Sequence, residues 1–252
     1  MAYDAQVLQA ALGARPFRYF DVIDSTNDIA LDWLRKGAPG GAVVLADEQK
    51  RGRGRLGRTW HAPAGSALIV SIVLDVLPDT VGRVTQLGAV AVCETLEAAG
   101  VPGVGIKWPN DVQVGGKKVC GILPEAAWSG DHLLGVVLGI GLNVRIDFRR
   151  TGLEDSATSI EPALGRPVDR VELLKALLER VDAWIPRIAS ADLHDSWRAR
   201  LTMLGQQVIV RDVDGDIHGL AVDVDAQGAL MVATGPDSDI RRVVAGDIAL
   251  GE

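Results

Sequence analysis

The sequence predicts an α+β protein in which helices and strands run together through residue 203, followed by a compact all-β unit over residues 204–252. Three observations lead there. Apolar runs of strand length, among them Val43-Val44-Leu45-Ala46 and residues 67–74, alternate with segments of helical periodicity. After Leu204 the pattern changes to short β-type runs cut by Asp214-Gly215, Gln227-Gly228 and Gly235-Pro236 turns. Finally, 252 residues with 48% apolar and 23% charged content can bury a large core and a smaller one.

Taken in order, a short helix over residues 4–12 leads into a strand at 17–22. Asp24-Ser25-Thr26-Asn27 then opens a helix with Ile29, Ala30, Trp33 and Leu34 as its apolar stripe, and Gly37 ends it. Strands follow at 43–46 and 67–74, then a long helix over 80–99, apolar on one face and stopped by Gly100. Residues 104–108 form a strand, and 112–114 and 118–123 a hairpin about Gly115-Gly116. A central strand at 133–142 and a polar loop at 145–156 precede a helix over 169–185, where Val171, Leu174, Leu178 and Val181 repeat at helical spacing. Strands at 208–210, 217–224, 229–233 and 241–244 make up a small β-barrel.

Composition excludes several classes of function. Net charge is −7, and the isoelectric point near 5.2 argues against a general nucleic-acid binder. The N-terminus lacks the basic start and apolar core of a signal peptide. No apolar run reaches membrane-spanning length, and the longest, residues 133–144, is interrupted by three glycines. Cys93 and Cys120 lie in apolar stretches without metal-like spacing and are expected as buried, reduced thiols, as in a cytosolic protein. His61, His132, His194 and His218 show no ligand spacing; His61 adjoins a basic loop but is expected to be a surface residue.

That loop is the most anomalous segment. Residues 50–58, K-R-G-R-G-R-L-G-R, hold five positive charges, three glycines and no acid. Glycine permits close backbone approach, and arginine supplies planar, permanently charged forks for carboxylate and phosphate. Basic runs also occur as solvated surface or nucleic-acid contacts. Here the run is held between two predicted core strands, so a loop that is mobile when empty and orders around a phosphate or acyl-phosphate is expected.

Three further constellations join it. Lys107-Trp108-Pro109-Asn110-Asp111 sets an ammonium, an amide and a carboxylate at a strand end, suited to ATP phosphates and Mg²⁺, although Pro-Asn-Asp is also an ordinary β-turn. In Lys118-Val119-Cys120-Gly121-Ile122-Leu123, strand alternation puts Lys118 on one face with Cys120 and Ile122; such a lysine either reaches water at a strand end or is held for chemistry. Gly139-Ile140-Gly141-Leu142-Asn143 allows close approach at a strand end, or a bulge or tight packing.

These pieces in this order resemble the biotin protein ligase family. The resemblance covers most of residues 17–250 and rests on five motifs: S-T-N at 25–27; Gln49 followed by G-R-G-R-x-G-R-x-W at 52–60; K-W-P-N-D at 107–111; K-V-C-G-I-L at 118–123; and G-I-G-L-N at 139–143. It implies a mixed β-sheet with flanking helices, like the class II aminoacyl-tRNA synthetases and the biotin–lipoate ligases, over residues 1–203, with an SH3-like barrel over 204–252. It also implies an ATP- and Mg²⁺-dependent activity that joins biotin to AMP with release of pyrophosphate. The biotinyl group then passes to one lysine of a biotin carboxyl carrier protein domain of acetyl-CoA carboxylase or a related carboxylase.

Carried over residue by residue, the resemblance makes Lys118 and Arg55 the catalytic cations and gives biotin Ser25, Thr26, Asn27, Gln49, Arg53, Gly54, Arg55 and Lys118. Arg53, Arg55, Arg58, Trp60, Lys107, Asn110, Asp111 and Asn143 would serve the nucleotide, with Asp111 on Mg²⁺. For Ser25, helix N-capping is an equally available role. A cytoplasmic monomer or weak, ligand-dependent homodimer is implied, without DNA or membrane partners. Some family members carry an N-terminal winged helix and act as repressors; with about 16 residues ahead of the first family-like strand, against ~60 for such a domain, no repressor function is expected. Two departures stand out: Leu56 removes a charge at the variable loop position, and Pro124 is expected to end its strand before Glu125. Lipoate–protein ligase, a nucleic-acid-binding module and a biotin sensor without catalysis are the competing assignments. The Arg-Gly loop and K-W-P-N-D favour biotin over lipoate, net acidity disfavours nucleic acid, and intact Lys118 and Arg55 disfavour the sensor.

Overall fold

The computed structural model describes residues 3–60, 62–212, 215–235 and 239–251. His61, Asp214 and Pro236 lie outside the described residues. The elements are α1 (Ala5–Leu12), β1 (Phe17–Ile23), α2 (Thr26–Arg35), β2 (Val43–Gln49), β3 (Ala67–Leu74) and α3 (Val84–Ala98), then β4 (Val104–Lys107), β5 (Asp111–Val114), β6 (Lys117–Ser129) and β7 (His132–Asn143). They continue with α4 (Ile160–Leu164), α5 (Arg170–Trp184), α6 (Ala191–Arg198), β8 (Gln207–Asp212), β9 (Gly215–Val224), β10 (Leu230–Thr234), β11 (Asp239–Val243) and β12 (Asp247–Leu250).

A seven-stranded sheet in the order β1-β2-β3-β7-β6-β5-β4 forms the larger part. The β1–β2 pair is parallel and the other pairs are antiparallel, so the sheet is mixed, as expected. Strand periodicity sorts its residues onto two faces. Leu68, Val70, Ile72 and Leu74 of β3 and Val136, Leu138, Ile140 and Leu142 of β7 join the main core with α1, α3, α5 and α6. Val73 and Val137 face the other way, against Ala30, Leu31 and Leu34 of α2. Alternation sends Ser71, Gly139 and Gly141 to that second face, where the motifs gather.

Several expectations shift in register or extent. The helix expected over 80–99 starts at Val84, after a 3₁₀ turn over Pro78–Arg83 that contains Gly82, a poor helix former. It is buried nearly all round, because the sheet covers one side and α5 and α6 the other. The hairpin about Gly115-Gly116 is present, with both glycines at positive φ. Pro124 does not end its strand. β6 runs on to Ser129, with Pro124 paired to Leu138. The Ile122 N–H points to the β5 side, toward the Asn110 carbonyl, so the Pro124 nitrogen two residues on faces an edge that β5 has already left, and no ladder bond is lost. The short helices α4 and α6 and the strand β12 were not anticipated.

The C-terminal unit is a five-stranded antiparallel sheet in the order β11-β10-β9-β8-β12. It has the strand-only composition expected of an SH3-like barrel, with no pairing between β11 and β12 among the described residues to close the ring. Trp108, at the end of β4, donates from Nε1 to the Gly228 carbonyl at 2.9 Å and ties the two units together.

Candidate active site

On the α2 face of the large sheet lies a cleft of about 890 Å³, its open mouth included. Twelve of the fourteen expected site residues line it: Ser25, Thr26, Asn27, Gln49, Arg53, Gly54, Arg55, Arg58, Trp60, Asn110, Asp111 and Lys118. Lys107 and Asn143 do not.

Its floor is neutral, buried and closed by hydrogen bonds. Ser25 caps α2, its Oγ accepting from the Asp28 N–H. Thr26 donates from its backbone N–H (2.7 Å) and Oγ1 (3.0 Å) to Gln49 Oε1. Ser71 Oγ stands 2.8 Å from Thr26 Oγ1 and 2.6 Å from Asn27 Oδ1. Asn27 Nδ2 donates to the Leu123 carbonyl at 3.2 Å and to Glu125 Oε2 at 2.6 Å. Both of its N–H groups are thus engaged within the protein, which makes Asn27 a brace of the floor.

The glycines of the G-I-G-L-N segment have a steric purpose. A Cβ on Gly139 would overlap the Asn27 side-chain amide, and one on Gly141 would lie 2.9 Å from the Trp60 indole. Close approach of side chains from α2 and the basic loop, and no bulge, explains both.

The mouth is charged. Lys118 Nζ lies 2.7 Å from Asp111 Oδ1. Plain alternation would have set Lys118 on the core face with Cys120 and Ile122. Instead the register slips by one residue opposite Val112/Gln113, and Val119 and Cys120 are both buried in the core. The bulge turns Lys118 to the cleft face, where its Nζ is 3.4 Å from the position of a Cβ on Gly121.

The two central arginines of the basic loop differ. Arg53 lies between Asp28 (2.7 Å) and Glu125 (3.2 Å), and these carboxylates, the Asp28 hydrogen bond foremost, raise its pKa. Arg55 donates to Asn110 Oδ1 at 3.1 Å and forms no ion pair among the described residues. Burial lowers its pKa, with the Asp111 charge opposing. Arg58 pairs with Asp247 of β12, so the C-terminal sheet holds the loop's far end. The loop folds back on itself: Gly54 N–H donates to the Arg58 carbonyl at 2.7 Å and Trp60 N–H to the Gly52 carbonyl at 2.8 Å.

Lys107 sits opposite Asp111 in the β4–β5 pair, where burial lowers its pKa against the pull of Asp111. Asn143 ends β7 and donates to the Thr158 carbonyl at 3.0 Å, anchoring the segment that follows β7. Asp247 lines the cleft without having been expected there, and Asp28, Ser71 and Glu125, which hold the lining residues from outside it, were not expected either. Ser71 carried a signal, since a hydroxyl within the apolar run of β3 must find a partner when buried. The others depend on contacts between distant segments.

Residues 19–143 match the Biotin/lipoate A/B protein ligase family, and residues 203–251 the Biotin protein ligase C terminal domain. The class is therefore that of the biotin- and lipoate-type protein ligases. The bifunctional ligase/repressor BirA of Bacillus spizizenii is 34% identical over 241 residues, spanning 92% of this chain and 73% of that protein. The biotin–[acetyl-CoA-carboxylase] ligase of Mycobacterium tuberculosis is 36% identical over 248 residues, covering 92% and 89% of the two chains. Among solved structures, the biotin protein ligase of Aquifex aeolicus in complex with biotin and ATP superposes with a TM-score of 0.79, at 27% identity over 94% of this chain and 98% of that one. The chain belongs to the biotin protein ligase family.

Proposed function

We propose that this protein activates biotin with ATP to biotinyl-5′-AMP and pyrophosphate, then transfers the biotinyl group to a lysine of a biotin carboxyl carrier domain, in acetyl-CoA carboxylase or a related carboxylase. The carrying observation is the meeting of Lys118, Arg55, Asn110 and Asp111 at the mouth of a cleft with a neutral, hydrogen-bonded floor. A neutral floor suits an uncharged ring system, and two cations at the mouth suit the junction of a carboxylate with a phosphate.

In the first step a biotin carboxylate oxygen attacks the α-phosphorus, the new O–P bond forms, and the bond to the β-phosphate oxygen breaks. Both reactants are anionic, so catalysis requires preorganised positive charge where charge develops. Lys118 and Arg55 supply it. Lys118 is held ready by Asp111, and Arg55 by Asn110, a neutral partner that leaves its charge uncompensated. Thr26 and Gln49 would orient the ring from the floor and Trp60 would flank the nucleotide, while Arg53 and Gly54 shape the loop above. Arg58 and Lys107 add positive potential toward the nucleotide, and Asn143 supports its site through the segment after β7. In the second step the neutral lysine amine attacks the acyl carbon, the C–N bond forms, AMP leaves with the C–O electron pair, and the amine's proton passes to solvent.

Among the described residues no cluster of three acidic, histidine or cysteine side chains could hold a metal. One carboxylate, Asp111, fits a Mg²⁺ that arrives on ATP phosphates and keeps its waters. Such an ion would screen the phosphate charges. Two catalytically idle, buried thiols accord with a reducing, cytoplasmic setting, and no helix among the described residues is long and apolar enough to cross a membrane. A ligase unit of residues 1–203 and a small unit of 204–252 is supported by the change from mixed to purely antiparallel sheet.

The test is incubation with ATP, Mg²⁺ and a biotin carrier domain, with biotin or lipoate as the acid, followed by intact mass of the carrier. Biotin-dependent gain of one biotinyl group is expected. Modification by lipoate in preference to biotin, or none by either, would overturn the assignment.

A further inference from the structure

A continuous line of side-chain contacts joins the floor of the cleft to the basic loop. It runs from Gln49 through Thr26 and Ser71 to Asn27, then to Glu125 and Arg53, and ends on Asp28. Glu125 is the link where the neutral part meets the charged part. One oxygen of its carboxylate accepts from Asn27 Nδ2 at 2.6 Å, and both oxygens stand 3.2 Å from Arg53 Nη2. Its place follows from β6 alternation: Cys120 and Ile122 enter the core, so Leu123 and Glu125 turn to the cleft side. Glu125 does not itself line the cleft.

Two consequences follow from this geometry. Arg53 is compensated by two carboxylates, Asp28 and Glu125, which makes it an anchor of the loop and leaves Arg55 to face the reacting anions. Asn27 uses one of its two N–H groups on Glu125, so the orientation of the floor amide and the seating of the loop depend on one carboxylate. We propose that Glu125 is a positioning residue that locks the polar floor and the basic loop into a single geometry, so that ordering of the loop is coupled to what occupies the floor. This inference rests on the biotin-ligase assignment of the cleft.

Two variants separate its two links. Glu125→Ala removes both. Glu125→Gln keeps an amide oxygen that can accept from Asn27 but removes the charge facing Arg53. In biotin-dependent ATP–pyrophosphate exchange, Glu125→Ala is expected to raise the KM for biotin about tenfold or more, as for loss of a hydrogen bond to a charged group, with a much smaller change in the KM for ATP. Trypsin cleavage within residues 51–58 should accelerate, and biotin should protect the loop less. Glu125→Gln should keep a biotin KM close to that of the parent while its loop is still cut faster. A merely structural role would move both KM values and the melting temperature together in either variant, and that result overturns the proposal. So does an unchanged biotin KM and cleavage rate in Glu125→Ala. Should Glu125→Ala not fold, Glu125→Gln decides: faster cleavage with an unchanged biotin KM supports the coupling, and any other pattern overturns it. Absence of biotin-dependent exchange in the parent would strike the functional assignment; the cleavage comparison on protein without substrate would still judge the Glu125–Arg53 link.

Discussion

The floor and the mouth belong to one cleft and are built on opposite principles. The floor, made by Thr26, Asn27, Gln49 and Ser71, is at least 92% buried at every one of these residues, carries no charge and satisfies its polar groups within the protein. The mouth, made by Arg55, Arg58, Asp111 and Lys118, is partly open to water and holds its cations on partners that a substrate anion could replace. Buried polar groups are costly unless paired, so the floor must be preformed, and changing it costs stability as well as binding. Ion pairs in water contribute little to stability, so the mouth can be rearranged for chemistry at small cost to the fold.

The largest expected effect tests the mouth. Lys118→Ala should lower the rate of adenylate formation by about 10²–10³, the usual cost of removing one preorganised charge contact, while circular dichroism and melting temperature stay close to the parent. Near-normal pyrophosphate release from this variant would remove Lys118 from the chemistry and blur the distinction between mouth and floor.

Arg55→Ala is expected to separate retention of the intermediate from its synthesis. Arg55 touches a neutral amide and no carboxylate among the described residues, so its loss releases no buried acid. Weakened hold on the adenylate should free biotinyl-AMP, which acylates any accessible lysine. The measurement is biotin transfer to an unrelated lysine-rich protein alongside pyrophosphate release. Continued pyrophosphate release with no rise in stray labelling would refute the retention role.

Gly139→Ala tests the floor. The new methyl group would overlap the Asn27 amide and force it from its place, at a cost of about 1–3 kcal/mol in stability, as for overpacking generally. Biotin affinity should fall in the same variant, whereas Lys118→Ala should leave stability unchanged. A Gly139→Ala protein with parental melting temperature and biotin affinity would show that the floor is softer than its hydrogen bonds imply.

The smallest effect concerns the far side of the sheet. Burial pushes the Cys93 thiol up to about 12 and raises Cys120 as well. In the native protein both stay protonated at pH 8, and neither should react with iodoacetamide until denaturant is added. Rapid native labelling of Cys120 would place it on the cleft face and contradict the bulge that separates it from Lys118. The same thiols oppose stability at high pH. They ionise in the unfolded chain from about pH 8.5 but stay protonated when folded, so their contribution is complete below that pH and is lost as pH rises toward 12.

Much of this was legible in the primary structure because it depends on local pattern. Continuous apolar runs marked β3 and β7, the helical spacing of Val171, Leu174, Leu178 and Val181 marked α5, and charge and glycine density marked the basic loop. The five motifs named the family and twelve residues that line one cleft. Where sequence reasoning failed, a local rule met a neighbour from elsewhere in the chain. Alternation put Lys118 on the wrong face because the bulge arises from pairing with β5. Propensity ended β6 at Pro124, although the edge its nitrogen faces carries no partner there. Two arginines alike in sequence became an anchor and a cation without an ion pair among the described residues, through acids at positions 28 and 125, and Arg58 found Asp247 almost two hundred residues away. By itself the sequence determined which segments become strands and helices and which residue types are present for chemistry, since these follow from backbone sterics and the burial of apolar side chains. The tertiary structure alone decided which charges are neutralised, which amides are already engaged and which lysine faces the cleft, since each is a matter of a few ångströms between groups that the chain brings together only on folding.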